Sequence, residues 1–248
     1  ALNYLDNDGI VIGEKDVYKR LSAQINADYK LFDWFSIGTT NSFEKYYRTS
    51  VSQSSYGSML NSVMSLDPLT PAYYSTIEEC ATAMQQHYQL GDPVLRDPNH
   101  NNDFYATSKY LEESTGNPLI QRDRTDSSSE GINIRGSIFA NLTPVKGLTI
   151  TSRFGYRIAQ SSSHSYSAPY WATGMANSNQ YSISANVNSS YYYQWENFAN
   201  YNTRIGKHDI SAMVGMSYIE NNYDNASISS QGEDILSSYE PNYRYINY

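Results

Sequence analysis

The fold class is decided first by residues 20–31, which read Arg-Leu-Ser-Ala-Gln-Ile-Asn-Ala-Asp-Tyr-Lys-Leu. Every second residue of this stretch is apolar: Leu21, Ala23, Ile25, Ala27, Tyr29 and Leu31. The residues between them are polar or charged, so the pattern has a period of two without exception. Successive side chains of a β-strand point to opposite faces. The stretch therefore predicts a strand with one apolar face and one polar face.

The same alternation recurs along the chain in pairs of neighbouring segments, which predicts three β-hairpins. Their strands of eleven to fifteen residues are about twice the usual length of roughly 5 to 6. They are long enough for the roughly 9 to 11 residues with which a tilted strand crosses a bilayer. The predicted pairs are 20–31 with 34–47, 132–142 with 148–158, and 191–205 with 209–219.

Short and long connections alternate between these strands. Outer-membrane β-barrels show this asymmetry, with short periplasmic turns and long extracellular loops. We therefore predict an all-β fold, an antiparallel transmembrane β-barrel portion whose long extracellular loops contain short helices. Because about eight strands is the minimum for a barrel, residues 1–248 are expected to be a segment of a larger one. The predicted strands span about 19–47, 131–159 and 191–220, and the predicted extracellular loops span about 48–130, 160–190 and 221–248.

The long loops are expected to contain structure of their own. Residues 76–89 predict a helix, since acidic residues follow Thr76 and Gly91 lies just beyond the end. A second helix is predicted within residues 54–65. Residues 181–187 also alternate, and they form either an extra strand or a hairpin inside a loop.

Composition restricts the classes of function. The chain has 17 Lys and Arg against 25 Asp and Glu, a net charge of −8, which argues against nucleic acid as a partner. No apolar run reaches the roughly 18 to 20 residues of a transmembrane helix. Tyr contributes 25 residues, and aromatic side chains near strand ends are typical of the girdles of a membrane barrel. The alternative is aromatic packing between strands of a soluble sheet.

The sequence offers binding residues rather than catalytic ones. No nucleophile elbow, phosphate loop or dinucleotide motif occurs, and the His residues lack the spacing of a zinc site. We therefore expect no enzymatic activity, no cofactor and no bound metal. Aromatic side chains in the predicted loops can stack on sugar rings or contact a peptide, although packing between loops is the alternative. These candidate substrate-binding residues are Tyr73, Tyr74, Tyr105, Tyr170 and Trp171.

Several short motifs carry a resemblance to a known family. They occur in a consistent order at residues 4–11, 20–30, 33–40, 67–71, 117–119, 144–149 and 206–215. Through them the chain resembles the barrel region of the SusC/RagA-type TonB-dependent outer-membrane transporters, over nearly all of its length. The family's plug domain has no counterpart in these residues.

The resemblance implies a multi-pass barrel in the bacterial outer membrane, of about 22 strands, that imports oligosaccharides or peptides. It also implies a SusD-like surface lipoprotein as partner, outer-membrane lipid around the barrel, and a TonB-ExbB-ExbD complex acting through a missing N-terminal region. Two other interpretations stay open. One is a β-rich cell-surface adhesin or binding protein with aromatic loops, and the other is a passive porin.

Overall fold

The computed structural model describes residues 1–51, 59–111 and 116–232. The first elements are β1 (Leu2–Asp8), β2 (Val17–Phe32), β3 (Phe35–Thr49), α1 (Met59–Ser65), β4 (Tyr73–Tyr74), a 3₁₀ turn (Ile77–Glu79), α2 (Thr82–Leu90), β5 (Arg96–Asp97) and β6 (Asp103–Tyr105). The remaining elements are α3 (Pro118–Asp123), β7 (Thr125–Val145), β8 (Leu148–Ser167), β9 (Tyr170–Trp171), β10 (Asn177–Ser178), β11 (Tyr181–Ile205) and β12 (His208–Gly232).

The long strands form one seven-stranded sheet in the order β1-β2-β3-β7-β8-β11-β12, and every neighbouring pair is antiparallel. The predicted all-β fold and the three predicted hairpins are therefore confirmed. Among the described residues, no helix combines the length and the apolar character needed to span a membrane.

The tight turns of the three hairpins lie at one end of the sheet, and the long connections lie at the other. Two of these turns use glycine in the left-handed region, Gly147 with φ of 87° and Gly206 with φ of 63°, where L side chains are strained. A side chain at Gly147 would in addition collide with the carbonyl oxygen of Asn202. We call the two ends of the sheet the turn end and the loop end.

The strand register separates an apolar face from a polar face, because directly opposed residues of neighbouring strands point the same way. Phe35, Leu142 and Ile150 are opposed in successive strands, and the row continues with Ala199 and Val214. Large side chains of this apolar face are open to solvent, with Ile138 54% and Val214 72% exposed. A single sheet therefore presents a continuous apolar surface.

On β7 and β8 the apolar face covers only part of the strand, whereas on β11 apolar residues recur on this face up to Ile183 near the loop end. On β7 it extends from Leu142 near the turn end to Ile132, and on β8 from Leu148 to Ile158. These spans match the roughly 9 to 11 residues of a bilayer crossing. Closer to the loop end, the same face carries polar side chains: Lys45, Glu130, Gln160, Ser162, His164 and Ser189.

The strands are longer than the sequence predicts. The strand predicted to end near residue 159 continues to Ser167, and β11 already begins at Tyr181. The predicted loop over 160–190 therefore shrinks to residues 168–180, and residues 181–187 form the start of β11 rather than a separate hairpin. Residues 221–232 belong to β12, while residues 233–248 lie outside the described part of the chain. The extension of β8 over residues 160–167 is rich in Ser on both faces and shows no apolar alternation, whereas residues 181–187 do alternate but do not by themselves indicate that they continue into β11.

Two further elements differ from the prediction. β1 was not predicted as a strand, yet it pairs with β2 from Leu2 opposite Ala23 to Asp8 opposite Val17. The helix predicted over 76–89 is a 3₁₀ turn followed, after a break at residues 80–81, by α2. The helix predicted within 54–65 is present as Met59–Ser65, and residues 54–58 lie outside the described residues.

The two long connections at the loop end fold together into what we call the loop domain, residues 59–111, 116–124 and 168–180. Its core consists of two clusters that each join residues of both connections. The first cluster contains Cys80, Met84, Phe104 and Trp171. The second contains Tyr105, Ile120, Tyr170 and Ala172. Burial raises the pKa of the Cys80 thiol to about 11, so this side chain packs as a small neutral group.

Candidate functional site

All five predicted binding residues lie in the loop domain. Tyr73 is opposite Tyr105 in the small sheet of β4 and β6, and Tyr170 packs in the same cluster. Tyr74 and Trp171 belong to the other cluster. Only 1% of Tyr105 and 7% each of Tyr170 and Trp171 are exposed. The structure therefore shows these rings as core residues of the loop domain, and their contact with a ligand stays a prediction.

A cleft of about 430 Å³ opens where α2 ends against the hairpin of β9 and β10. Of the five predicted residues, Tyr170 and Trp171 line it, whereas Tyr73, Tyr74 and Tyr105 do not. The full lining is His87, Asp92, Pro93, Tyr170, Trp171, Gly174, Asn177, Ser178 and Asn179. This combination of two aromatic rings, an imidazole, a carboxylate and amides suits hydrogen bonding and stacking to a polar ligand.

His87 is the central side chain of the cleft. Its ring stacks on Trp171 with 4.0 Å between ring centroids, and its Nδ1 lies 2.6 Å from Oδ2 of Asp92. The position of Asp92 follows from the helix end, because Gly91 adopts φ of 88° and its N–H and that of Asp92 bond to the last turn of α2. The imidazole is thus held in one orientation over the indole while it lines the cleft.

The opposite wall of the cleft is a rigid turn. Trp171 pairs with Asn177 across β9 and β10. Nδ2 of Asn177 donates to the carbonyl oxygens of Thr173 and Gly174 at 3.0 and 2.8 Å. The backbone N–H of Trp171 donates to the carbonyl of Pro93 at 2.9 Å, which ties this turn to the end of α2. The cleft is therefore built from two parts of the chain that are joined directly.

A largely buried polar network connects β4, β5, β6 and α3 of the loop domain. The hydroxyl of Tyr73 donates to Asp97 at 2.7 Å, and that of Tyr105 donates to Asp123 at 2.7 Å. Arg122 donates two bonds of 2.6 Å to Asp123, and its guanidinium lies 4.0 Å from Asp97. Burial and the bond to Asp97 raise the pKa of Tyr73 to about 12. Burial and Asp123 likewise raise the pKa of Tyr105, so both hydroxyls remain donors at neutral pH.

Asn117 forms a second set of hydrogen bonds that connects segments of the loop domain. Its Nδ2 donates to the carbonyl oxygens of Ala72 and Ala106, and its Oδ1 accepts the N–H of Leu119 at the start of α3. Sequence reasoning did not single out this network or the His87–Asp92 pair. An Asn followed by Pro118 does indicate a helix cap, but nothing local identifies the two carbonyl partners.

The polar face of the sheet carries a set of seven charged side chains that are spread over four strands. Arg20, Asp28, Arg135, Arg153, Arg157, Glu196 and Arg204 all lie on this face by register. Three of the arginines have acidic partners: Arg20 lies 3.8 Å from Glu44, Arg153 lies 4.0 Å from Glu196, and Arg204 lies 3.7 Å from Asp209. In the part of the chain that the structure describes, no group of three or more His, Cys, Asp or Glu side chains is placed to hold a metal ion.

Comparisons with known proteins identify relatives of the fold. No family model matches the sequence, and no curated protein is similar to it in sequence. A solved structure of the RagAB peptide transporter superposes on 96% of the chain with a TM-score of 0.64 and 21% identity. The RagAB peptide importer in its "open-open" and "closed-closed" states covers 93% and 97% of the chain, with TM-scores of 0.59 and identities of 22% and 20%. The chain spans 23–24% of the length of these matched chains.

Proposed function

We propose that this chain is part of the β-barrel of a SusC-like, TonB-dependent importer of the bacterial outer membrane. The observation that carries the proposal is the apolar face of the sheet. It is exposed, it is as tall as a bilayer core, and on β7 and β8 it becomes polar towards the loop end. A soluble sheet of this kind would need a second layer to bury the apolar side chains. In a membrane, lipid covers them.

Aromatic side chains at the two borders of the apolar face support this orientation. At the turn end, Trp34 is 50% and Tyr201 45% exposed, and the rings of Phe32 and Trp34 stack with 5.3 Å between centroids. Towards the loop end, Tyr191 and Tyr193 lie on the same face with centroids 5.1 Å apart. Barrels place aromatic girdles at both membrane interfaces.

The polar face then lines the interior of the barrel, and the loop domain lies on the extracellular side. We propose the cleft at His87 as a site where the loop domain contacts the imported ligand, an oligosaccharide or a peptide. The RagAB neighbours are a peptide transporter, which favours a peptide. The family resemblance adds a SusD-like lipoprotein and a TonB-ExbB-ExbD complex as proposed partners.

Fractionation of the producing bacterium tests the proposal. We expect the polypeptide in the outer-membrane fraction, in a chain much longer than 248 residues, together with a SusD-like lipoprotein. Uptake of labelled peptides or oligosaccharides should stop when a protonophore removes the energy source. Uptake that continues without energy would favour the passive porin, and a water-soluble protein would favour the adhesin.

The cleft makes a separate prediction for His87→Ala. We expect this variant to bind its ligand up to about tenfold more weakly, since an aromatic stacking contact contributes about 0.5 to 1.5 kcal/mol. The measurement is the retention of a tryptic peptide digest and of starch-derived oligosaccharides on the immobilised full-length protein.

The chain supplies a matched control in His100→Ala. His100 also stacks on an aromatic ring, with 4.1 Å between its centroid and that of Tyr73, and it also bonds to an aspartate, Asp103, at 3.0 Å. It lies in the loop domain but does not line the cleft. Equal losses of binding in both His variants would contradict the assignment of the cleft.

A further inference from the structure

One row of side chains on the polar face contains two arginines but no acidic residue. Arg135 and Arg157 are directly opposed in β7 and β8. The row continues across the sheet on both sides with uncharged polar residues. In strand order it consists of Gln24, Ser42, Arg135, Arg157, Tyr192 and Asn221, and we call it the arginine row. It contains two positive charges and no negative charge.

Opposed like charges destabilise an antiparallel pair, so this arrangement has a cost that the described chain does not offset. Neither Arg135 nor Arg157 has an ion pair within the part of the chain that the structure describes. Arg20, Arg153 and Arg204 on the same face do have acidic partners. Both unpaired arginines are exposed, and each guanidinium is therefore free to bind a group outside the described residues.

Two carboxylates of the polar face that lie near the arginine row, Glu44 one side-chain row away and Glu196 two rows away, are already engaged. Glu44 is paired with Arg20 and accepts a bond of 2.9 Å from Asn133. Glu196 is paired with Arg153 and accepts a bond of 2.8 Å from Gln194. Each of these carboxylates already pairs with another arginine. If either turned to the arginine row, Arg20 or Arg153 would lose its partner.

There is also room for a ligand beside Arg135, on the side away from Arg157 in the strand order. A hollow of about 470 Å³ lies next to Arg135, and its lining includes Gln24, Ser42, Ser137 and Gly136. Hydroxyl and amide groups of the lining can hydrogen-bond a polar chain. The space is large enough for a carboxylate and the residue that carries it.

We propose that Arg135 and Arg157 together bind the carboxylate of the imported ligand, and that this ligand is a peptide with a free carboxyl group. The inference rests on the proposed function, because it places the polar face along the ligand's path. Two guanidinium groups can donate parallel bonds to both oxygens of one carboxylate. A bound carboxylate between them would also remove their mutual repulsion.

The test compares two forms of one probe on the purified full-length protein. The probe is a tryptic digest of serum albumin, used directly and after conversion of its carboxyl groups to amides. We expect the protein to retain the untreated digest about tenfold or more in excess of the amidated one. Arg135→Gln/Arg157→Gln should retain both forms equally, whereas Arg204→Gln, which lies near the turn end, should keep the preference.

A second variant separates binding from folding. Arg135→Glu places a carboxylate opposite Arg157, so we expect an unchanged or higher melting temperature together with loss of the preference. Arg157→Lys should keep part of it. Equal retention of the two digests by the unmodified protein would overturn the arginine site and leave peptide import intact, whereas retention of neither would overturn both. A lower melting temperature of the double Gln variant with an unchanged preference would also overturn the site, because it would assign the arginines to contacts within the protein.

Discussion

Ile138→Arg is expected to destabilise the folded protein in a bilayer by about 2 to 4 kcal/mol, the cost of an arginine on the lipid face near the membrane midplane. Ile138 is 54% exposed on the apolar face, and Ile134 and Leu142 lie beyond it towards the two borders. Its opposed neighbours Thr39 and Phe154 offer no acidic group to an arginine. Urea titration of the full-length protein in lipid vesicles measures the change.

The adjacent residue provides the control. Ser137→Arg lies at the same depth on the polar face, where Thr40 and Gly155 are its opposed neighbours. In a water-filled interior we expect this change to cost less than about 1 kcal/mol. If the two substitutions cost the same, the sheet does not separate lipid from water. If the order of the costs is reversed, the polar face would have to be the outer one.

The central parts of the strands could be predicted from the sequence, because an alternation of apolar and polar residues is a local signal. Each apolar side chain of residues 21–31 is followed by a polar one, and this pattern alone predicts both the strand and its faces. Glycine in the turns at Gly147 and Gly206 marks where strands reverse. The prediction is therefore best where the apolar face is present, since that face is what creates the alternation.

The strand ends could not be predicted in full, because the prediction depends on this alternation. In residues 160–167 the side chains on both faces are mostly polar, and the strand is maintained by backbone pairing with its neighbours. Residues 181–187 do alternate, but seven residues do not distinguish a separate hairpin from the start of β11. Ser161 lies opposite Asn188 in β11, and Nδ2 of Asn188 approaches Oγ of Ser161 at 3.4 Å. Such contacts depend on which strand lies alongside, and this information is not local. β1 was missed on the same grounds, because its role depends on the open edge of β2.

The candidate site could be predicted only in part, and for a different reason. Aromatic residues in a loop suit both a ligand surface and a packed core, so residue type alone does not distinguish these roles. The structure groups the five predicted residues in one domain but places only Tyr170 and Trp171 at the cleft. His87 and Asp92 were missed because their pairing depends on the end of α2 and on a hairpin some eighty residues away along the chain. The arginine row likewise becomes visible only when the register of six strands is known.

Tyr105→Ala is the substitution for which we expect the largest loss of stability in the loop domain. Tyr105 is 1% exposed and packs against Ile120 and Tyr170. Removing a buried aromatic ring costs about 3 to 5 kcal/mol. The change also takes a hydrogen-bond donor from Asp123. Limited proteolysis of the loop domain in the full-length protein, with thermal unfolding in parallel, should show earlier opening of residues 59–111 and 116–124.

Tyr105→Phe separates the two contributions of this side chain. It keeps the ring in the cluster and removes only the hydroxyl, and Asp123 retains both of its bonds from Arg122. We therefore expect a loss of about 1 kcal/mol and unchanged ligand retention. If the Phe variant instead unfolded as easily as the Ala variant, the polar network rather than packing would hold the loop domain together. If it lost ligand binding while remaining folded, Tyr105 would be a binding residue, and the loop domain would have to open for a ligand to reach it.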